Sequence, residues 1–346
     1  MSFLGDLINP YSVLSIIGMC KNAGKTTVLN HIIHKTAGKK ITLAFTSVGR
    51  DGEAIDIVTN TAKPGIYVYA GSLIATAEGL LDACDITKEI LLTTGISTPL
   101  GEIVVIRALS GGYVQLAGPS TTSQLERLAQ AFSRFGADKI IIDGAVSRKT
   151  FSALQHGGTQ AVILCTGASY NASMETVVKE TLFVSKLFSL PPQDAPHGVP
   201  PSDAGGAKFV LCGKECIRLP NNMGIEEGLR KHAQNDTTQV YVAGALSDAI
   251  LEPLFRAGVN LAGLQFVVYD AGKILISAAA YEKLLLRNCG IQVLRGIKLL
   301  AIAINPVSAY GYSFDKELFR ESLTRQTDIP VINVQERPAA QGDTND

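Results

Sequence analysis

The sequence has no excess charge of either sign. Lys plus Arg number 31 and Asp plus Glu number 31, and charged residues make up only 18% of the chain. No Lys/Arg block stands out, so no electrostatic footprint for nucleic acid or an anionic membrane is present. Long hydrophobic runs are missing too. Although 46% of the residues are apolar, every run is far shorter than a bilayer span. Met1 to Pro10 has no basic stretch followed by a long apolar one, so no secretory signal is read and a cytoplasmic location is expected. The cysteines Cys20, Cys84, Cys165, Cys212, Cys216 and Cys289 are scattered. Cys212 and Cys216 are spaced C-x3-C but have no second Cys/His pair at metal spacing. The histidines His31, His34, His156, His197 and His232 show no spacing for a metal or a nucleophile's base. Internal repeats and low-complexity tracts are absent.

What is present begins at Val13. The apolar run Val13-Leu14-Ser15-Ile16-Ile17, one buried strand in length, stops at Gly18; a polar loop then ends in Gly24-Lys25-Thr26-Thr27. Val28-Leu29-Asn30-His31-Ile32-Ile33 follows with helical apolar spacing. Strand, loop, Gly-Lys-Thr and helix in that order is the context of a phosphate-binding loop. Backbone N–H groups from Asn22, Ala23, Gly24 and Thr27 would point at phosphate oxygens, where the helix dipole favours negative charge. Lys25 would reach the β- and γ-phosphates, and the Thr26 hydroxyl would take a position on Mg²⁺. The usual first glycine falls at Met19, with Gly18 one residue earlier. Either Met19 takes the first loop position without a glycine's freedom, or the loop is one residue longer.

Two later stretches supply acids. The strand Ile41–Val48 empties into Gly49-Arg50-Asp51-Gly52-Glu53, where Asp51 or Glu53 would order water and Arg50 would touch phosphate. Lys139-Ile140-Ile141-Ile142-Asp143-Gly144 reads as a buried strand that presents Asp143 at its end, the second half of a nucleotide site holding Mg²⁺. Between them, Ile66–Tyr69 reads as a strand and Thr76–Cys84 as a helix. Further strands are expected over 89–94, 102–107 and 113–117. The last two form a hairpin about Ser110-Gly111-Gly112, and a helix is expected over 120–135. Proline-dense residues 191–206 divide a first domain (1–190) from a second α/β lobe (207–335), ahead of a polar tail (336–346). In that lobe, the strand 298–304 opens into Asn305-Pro306, where Asn305 would read an adenine edge or form a turn. Tyr310 and Tyr312 follow, as rings for a partner surface, a nucleotide-facing clamp or a core turn. The fold class is α/β: a doubly wound, mostly parallel sheet with a second α/β lobe. No Asn/Thr-Lys-x-Asp run follows the strands after Asp143, so guanine specificity is not indicated.

Four stretches together carry a resemblance: Gly18 to Thr27, Thr46 to Glu53, Ile142 to Ala145 and Asn305 to Asp315. The chain resembles P-loop NTPases of the branch that includes dethiobiotin synthetase, and more closely the ATP-binding subunit of the lysine aminomutase reactivase. That resemblance implies a Mg²⁺-dependent ATPase working with a MutS-like ATPase subunit to restore a cobalamin- and pyridoxal-phosphate-dependent aminomutase. Its alternative is an ATP-dependent small-molecule ligase or kinase of the dethiobiotin synthetase type.

Overall fold

The computed structural model describes residues 3–49, 65–145, 160–199, 207–212, 215–221, 223–232 and 237–333. Two compact units form, Met1–Leu182 with Lys298–Asp346, and Phe183–Ile297. Eight α-helices and mixed sheets are found among the described residues, an α/β architecture. No helix among them is long and apolar enough to cross a membrane.

The first unit is built on a nine-stranded sheet. Its spatial order is Val331–Ile332, Leu299–Asn305, Gln160–Gly167, Val13–Gly18, Lys139–Ala145, Leu43–Ser47, Leu73–Ala77, Gly101–Ala108, Lys88–Thr98. Neighbours run parallel as far as Leu73–Ala77, and the last two pairings are antiparallel. Period-two alternation assigns side chains to the two faces. Leu14, Ile16 and Ile141 pack with Val28, Leu29, Ile32 and Ile33 of the helix Lys25–Thr36. Val13, Ile140 and Ile142 pack with Leu125, Leu128 and Phe132 of the helix Thr122–Arg134. Strands covered on both faces read as continuous apolar runs, which is why Ile140-Ile141-Ile142 shows no alternation in the sequence. The second helix begins where Thr121 Oγ1 accepts from Gln124 N (3.3 Å) and stops at Gly136, whose φ of 87° suits a residue without a side chain.

The second unit holds a five-stranded sheet in the order Glu215–Arg218, Lys208–Cys212, Thr237–Val242, Gln265–Asp270, Gly290–Arg295. Its last three strands are parallel. The helices Asp248–Arg256 and Ala278–Leu285 fall in the two crossovers between them. Phe209, Tyr241 and Val267 lie in its buried core.

Four expectations are corrected. Residues 298–333 leave the expected second lobe (207–335) and rejoin the first sheet, with Leu299–Asn305 pairing parallel to Gln160–Gly167. Leu299, Leu300, Ile302 and Ile304 are all buried there, each worth about 1.5–3 kcal/mol, so this run belongs inside a sheet. The boundary also falls at Leu182/Phe183, inside the helix Met174–Phe188, and not in the proline-dense segment. The stretch 76–84 is not helical: Leu73–Ala77 is a fully buried strand followed by a short 3₁₀ turn at Glu78–Leu80. Nor do 102–107 and 113–117 form a hairpin. Gly101–Ala108 turns back on Lys88–Thr98, while Gly112–Val114 pairs with Ile66–Val68 in a separate two-stranded sheet. The Ser110-Gly111-Gly112 turn is real as a break, but long-range pairing chose the partners.

The edge between the first helix and the sheet is fastened by a buried lysine. Lys139 Nζ donates to the carbonyls of Ile8 (3.1 Å), Asn9 (2.8 Å) and Tyr11 (2.9 Å) at the end of the helix Phe3–Ile8. Burial holds its ammonium below the usual lysine range, with Asp138 opposing. A cation at a helix C-terminus satisfies carbonyls that have no intrahelical donor. Lys139→Met should keep the stem's packing and lose these bonds, lowering stability by about 1–3 kcal/mol. Urea unfolding measures this, and an unchanged midpoint would mean water replaces the ammonium without cost.

Candidate functional site

Val13–Gly18 is buried along its length and paired on both edges, so its end is where the chain must leave the sheet. Gly18 stands in register with Ala145 on one side and Cys165 on the other, which brings two strand ends level, while Gln160–Gly167 runs two residues further. From Val13–Gly18 the chain crosses to Leu43–Ser47, whereas from Lys139–Ala145 it crosses the opposite way to Gln160–Gly167. Such a reversal opens a crevice at the carboxyl ends of the strands, the usual ligand position in open α/β sheets.

The loop 19–24 fills that position. Met19 N donates to Cys165 O (2.9 Å), and Met19 Sδ accepts from Thr181 Oγ1 (3.2 Å), which also lies 2.8 Å from Thr166 Oγ1. Positive φ falls at Asn22 (59°) and Gly24 (94°), and Met19 is not among the positive-φ residues. Met19 therefore takes the first loop position with ordinary backbone. Gly18 serves a different purpose. A Cβ there would lie 2.9 Å from Lys25 Cγ and Cδ and 3.0 Å from Nζ, so the lysine folds back across Gly18 over the mouth of the loop. Gly24 caps the helix Lys25–Thr36 in the left-handed region, which a β-carbon would strain. Ala23 is buried, while Thr26 and Thr27 are half-buried in the helix's first turn.

Asp143 is buried, in register with Ile16 on one neighbour and Ser47 on the other, and its carbonyl accepts from Val48 N (2.8 Å). Lys25 and Asp143 act on a common point. Burial pushes the Cys165 thiol up to about 12, with Lys25 pulling it down and Asp143 pushing it up. Burial likewise pushes Cys20 up to about 11 against the pull of Lys25. Both thiols are thus held neutral at physiological pH and act as packing groups. Arg50, Asp51 and Glu53 lie outside the described residues. Three His, Cys, Asp or Glu side chains do not gather as a metal cluster anywhere among the described residues.

A third segment closes on the loop from the last part of the chain. Asn305 Nδ2 donates to Asn22 O (3.0 Å), and its Oδ1 accepts from Val307 N (3.2 Å). A Cβ on Gly24 would stand 3.3 Å from Asn305 Cβ. The Asn305 carbonyl accepts from Ala168 N (2.9 Å), Tyr312 Oη donates to Ala168 O (2.8 Å), and Ala309 N donates to Ser169 Oγ (3.0 Å). Of the two readings open for Asn305, the turn is realised through its Oδ1 and Val307 N, and its amide is directed at the backbone of Asn22. Tyr312 is half-buried in the 305–315 turn, while Tyr310 stays exposed. The residues missed by pattern reading are Thr166, Ala168 and Ser169, which join the loops, and Gly18 in its role as a rest for Lys25. Only the small residues after the strand Gln160–Gly167 hinted at the former.

Compared with protein-family models, curated proteins and solved structures, the chain finds no match.

The bond from Asn305 to Asn22 is weak against what surrounds it. One hydrogen bond contributes about 1 kcal/mol, whereas the buried side chains of the strand before Asn305 contribute several times that. Asn305→Ala should therefore leave the fold standing, with a stability loss of about 1 kcal/mol, yet speed amide exchange at residues 19–24. Hydrogen exchange read by mass spectrometry checks this. Unchanged exchange in that peptide would show that the loop holds its own shape.

Proposed function

We propose that this chain binds ATP with Mg²⁺ on the loop Gly18–Thr27 and hydrolyses it, on a fold of the P-loop NTPase kind. The observation that carries the reading is the lysine lying over Gly18 at the end of the central strand, one residue after a left-handed glycine at a helix N-terminus. A helix start favours the negative charge of phosphate. Asn22 to Thr27 would bind the triphosphate through backbone N–H groups, and Lys25 would neutralise its β- and γ-oxygens. Thr26 and Asp143 fit Mg²⁺, which when bound supplies charge neutralisation on the phosphates. The fit rests on a hydroxyl in the helix's first turn and a buried carboxylate on the adjacent strand. Asp51 or Glu53 is proposed to orient the attacking water. Adenine is preferred because the guanine-reading run is missing from the sequence. The resemblance carries the rest: the hydrolysis would drive reactivation of a cobalamin-dependent aminomutase together with a MutS-like subunit.

Two variants test the site. Lys25→Ala should abolish Mg-ATP binding in calorimetry while the melting temperature holds, since a half-buried loop lysine adds little to the core. Retained affinity in the folded variant would sink the proposal. Asp143→Asn should keep much of the affinity and lose turnover by about 10²–10³-fold, the scale for removing one preorganised electrostatic group. A wild-type rate in a phosphate-release assay would leave Asp143 a strand end and nothing more.

A further inference from the structure

The loop 19–24 is gripped from outside at two points, and both grips belong to one packed body. Val177 and Val178 of the helix Met174–Phe188 share a buried core with Ile302 and Ile304 of the strand Leu299–Asn305. Phe319 and Leu323 of the helix Lys316–Thr324 complete that core. A close-packed interior of this kind has little give. From it Thr181 reaches Met19, where the loop begins, and Asn305 reaches Asn22 within the loop.

Met19 stands where the usual motif has a glycine. Its backbone does not use a glycine's freedom, because its φ is not positive, so its side chain is the part to explain. The thioether meets a buried pair of hydroxyls. Met19 Sδ lies 3.2 Å from Thr181 Oγ1, which is 2.8 Å from Thr166 Oγ1 and 2.6 Å from Val177 O. Both threonines are 0% exposed. The Thr181 hydroxyl has one proton, and it serves two acceptors, the carbonyl of Val177 and the sulfur of Met19. Thr166 is then the donor within the threonine pair. A helical threonine commonly gives its proton to the carbonyl four residues back; the sulfur is the additional acceptor here. A thioether accepts weakly, yet it is soft and adapts to the space beside an oxygen. A leucine of similar volume would set only carbon there.

The backbone is held from the same side. Met19 N donates to Cys165 O (2.9 Å), the residue before Thr166. Amide and sulfur of one loop residue are thus tied to adjacent residues of the strand Gln160–Gly167, the sulfur through Thr181. We propose that Thr181 is a positioning residue for the nucleotide site: through Met19 it fixes the start of the loop before a ligand arrives. The inference rests on the reading of this loop as the site for Mg-ATP, and it adds the residue that presets it. A loop ordered in advance loses less freedom on binding, so the gain falls on affinity. Lys25 and Asp143 do the work on bound nucleotide, so turnover at saturation is spared.

Thr181→Val removes the hydroxyl and keeps the branched shape. In nucleotide-free protein, amide exchange at residues 19–24 should quicken while that of the strand 299–305 holds. Mg-ATP should bind about fivefold more weakly with kcat nearly unchanged. Thr181→Ser restores the hydroxyl and should return exchange and affinity to wild type. Should Thr181→Val fail to fold, Met19→Leu carries the test, since it conserves volume and removes the acceptor; the same changes in exchange and affinity are expected. Wild-type exchange at 19–24 in the folded variant, a fall in kcat with affinity kept, or a Thr181→Ser protein as impaired as Thr181→Val would overturn the proposal. A wild-type chain that fails to bind Mg-ATP would instead overturn the reading beneath it, and the exchange comparison would still decide whether Thr181 holds the loop.

Discussion

The central strand Val13–Gly18 imposes the constraint on which the first unit depends. Its six residues are buried on both faces and hydrogen-bonded along both edges. Backbone groups in such a place have no water to turn to, so pairing must run its full length. The chain can leave only at the end, and there the next residues become the loop 19–24. The helix Lys25–Thr36 then returns across one face to cover Leu14 and Ile16. The loop at the strand's end is thus a by-product of covering the strand, and the absence of a side chain at Gly18 lets Lys25 lie close over it.

The return of residues 298–333 completes this arrangement. Burial of Leu299 through Ile304 places the strand, and the hydrogen bonds of Asn305 set the detail at its end. The magnitudes separate the two roles: several buried aliphatic side chains hold the segment, and a bond of about 1 kcal/mol orients it. Ala168, Ser169 and Tyr312 link the same loops. The 115 residues of the second unit, Phe183–Ile297, are thereby an insertion between two neighbouring strands of one sheet, Gln160–Gly167 and Leu299–Asn305.

The two opposite ends of one helix's surroundings carry different chemistry. At its N-terminus a lysine and a buried carboxylate act in opposite senses on one buried thiol, a charged setting. Along its flank, aromatic rings and imidazoles form a groove without fixed charge among the described residues. The helix is amphipathic in an uncommon sense, with Val28, Leu29, Ile32 and Ile33 inward and Asn30, His31 and His34 turned to a structured groove in place of bulk water. His34, patternless in the sequence, meets the Tyr69 hydroxyl 35 positions away.

Local chemistry was enough to reveal much of this in the sequence alone. Gly24-Lys25-Thr26 between an apolar run and a helical one specifies a loop at a helix start, because glycine, a cap and periodicity act within a few residues. The strand that carries Asp143, which runs two residues further to Ala145, and the helix stop at Gly136 were legible for the same reason. What the tertiary structure decided were the partners. Leu299–Asn305 reads equally well in a second lobe or in the first sheet, since an apolar run carries no label for its neighbour. Leu73–Ala77 was hidden because buried alanines and threonines suit a helix until antiparallel pairing with Gly101–Ala108 claims them. Gly18 drew notice as a displaced motif residue, yet its purpose depends on where the Lys25 side chain lies, and that follows from packing between segments the one-dimensional pattern cannot bring together.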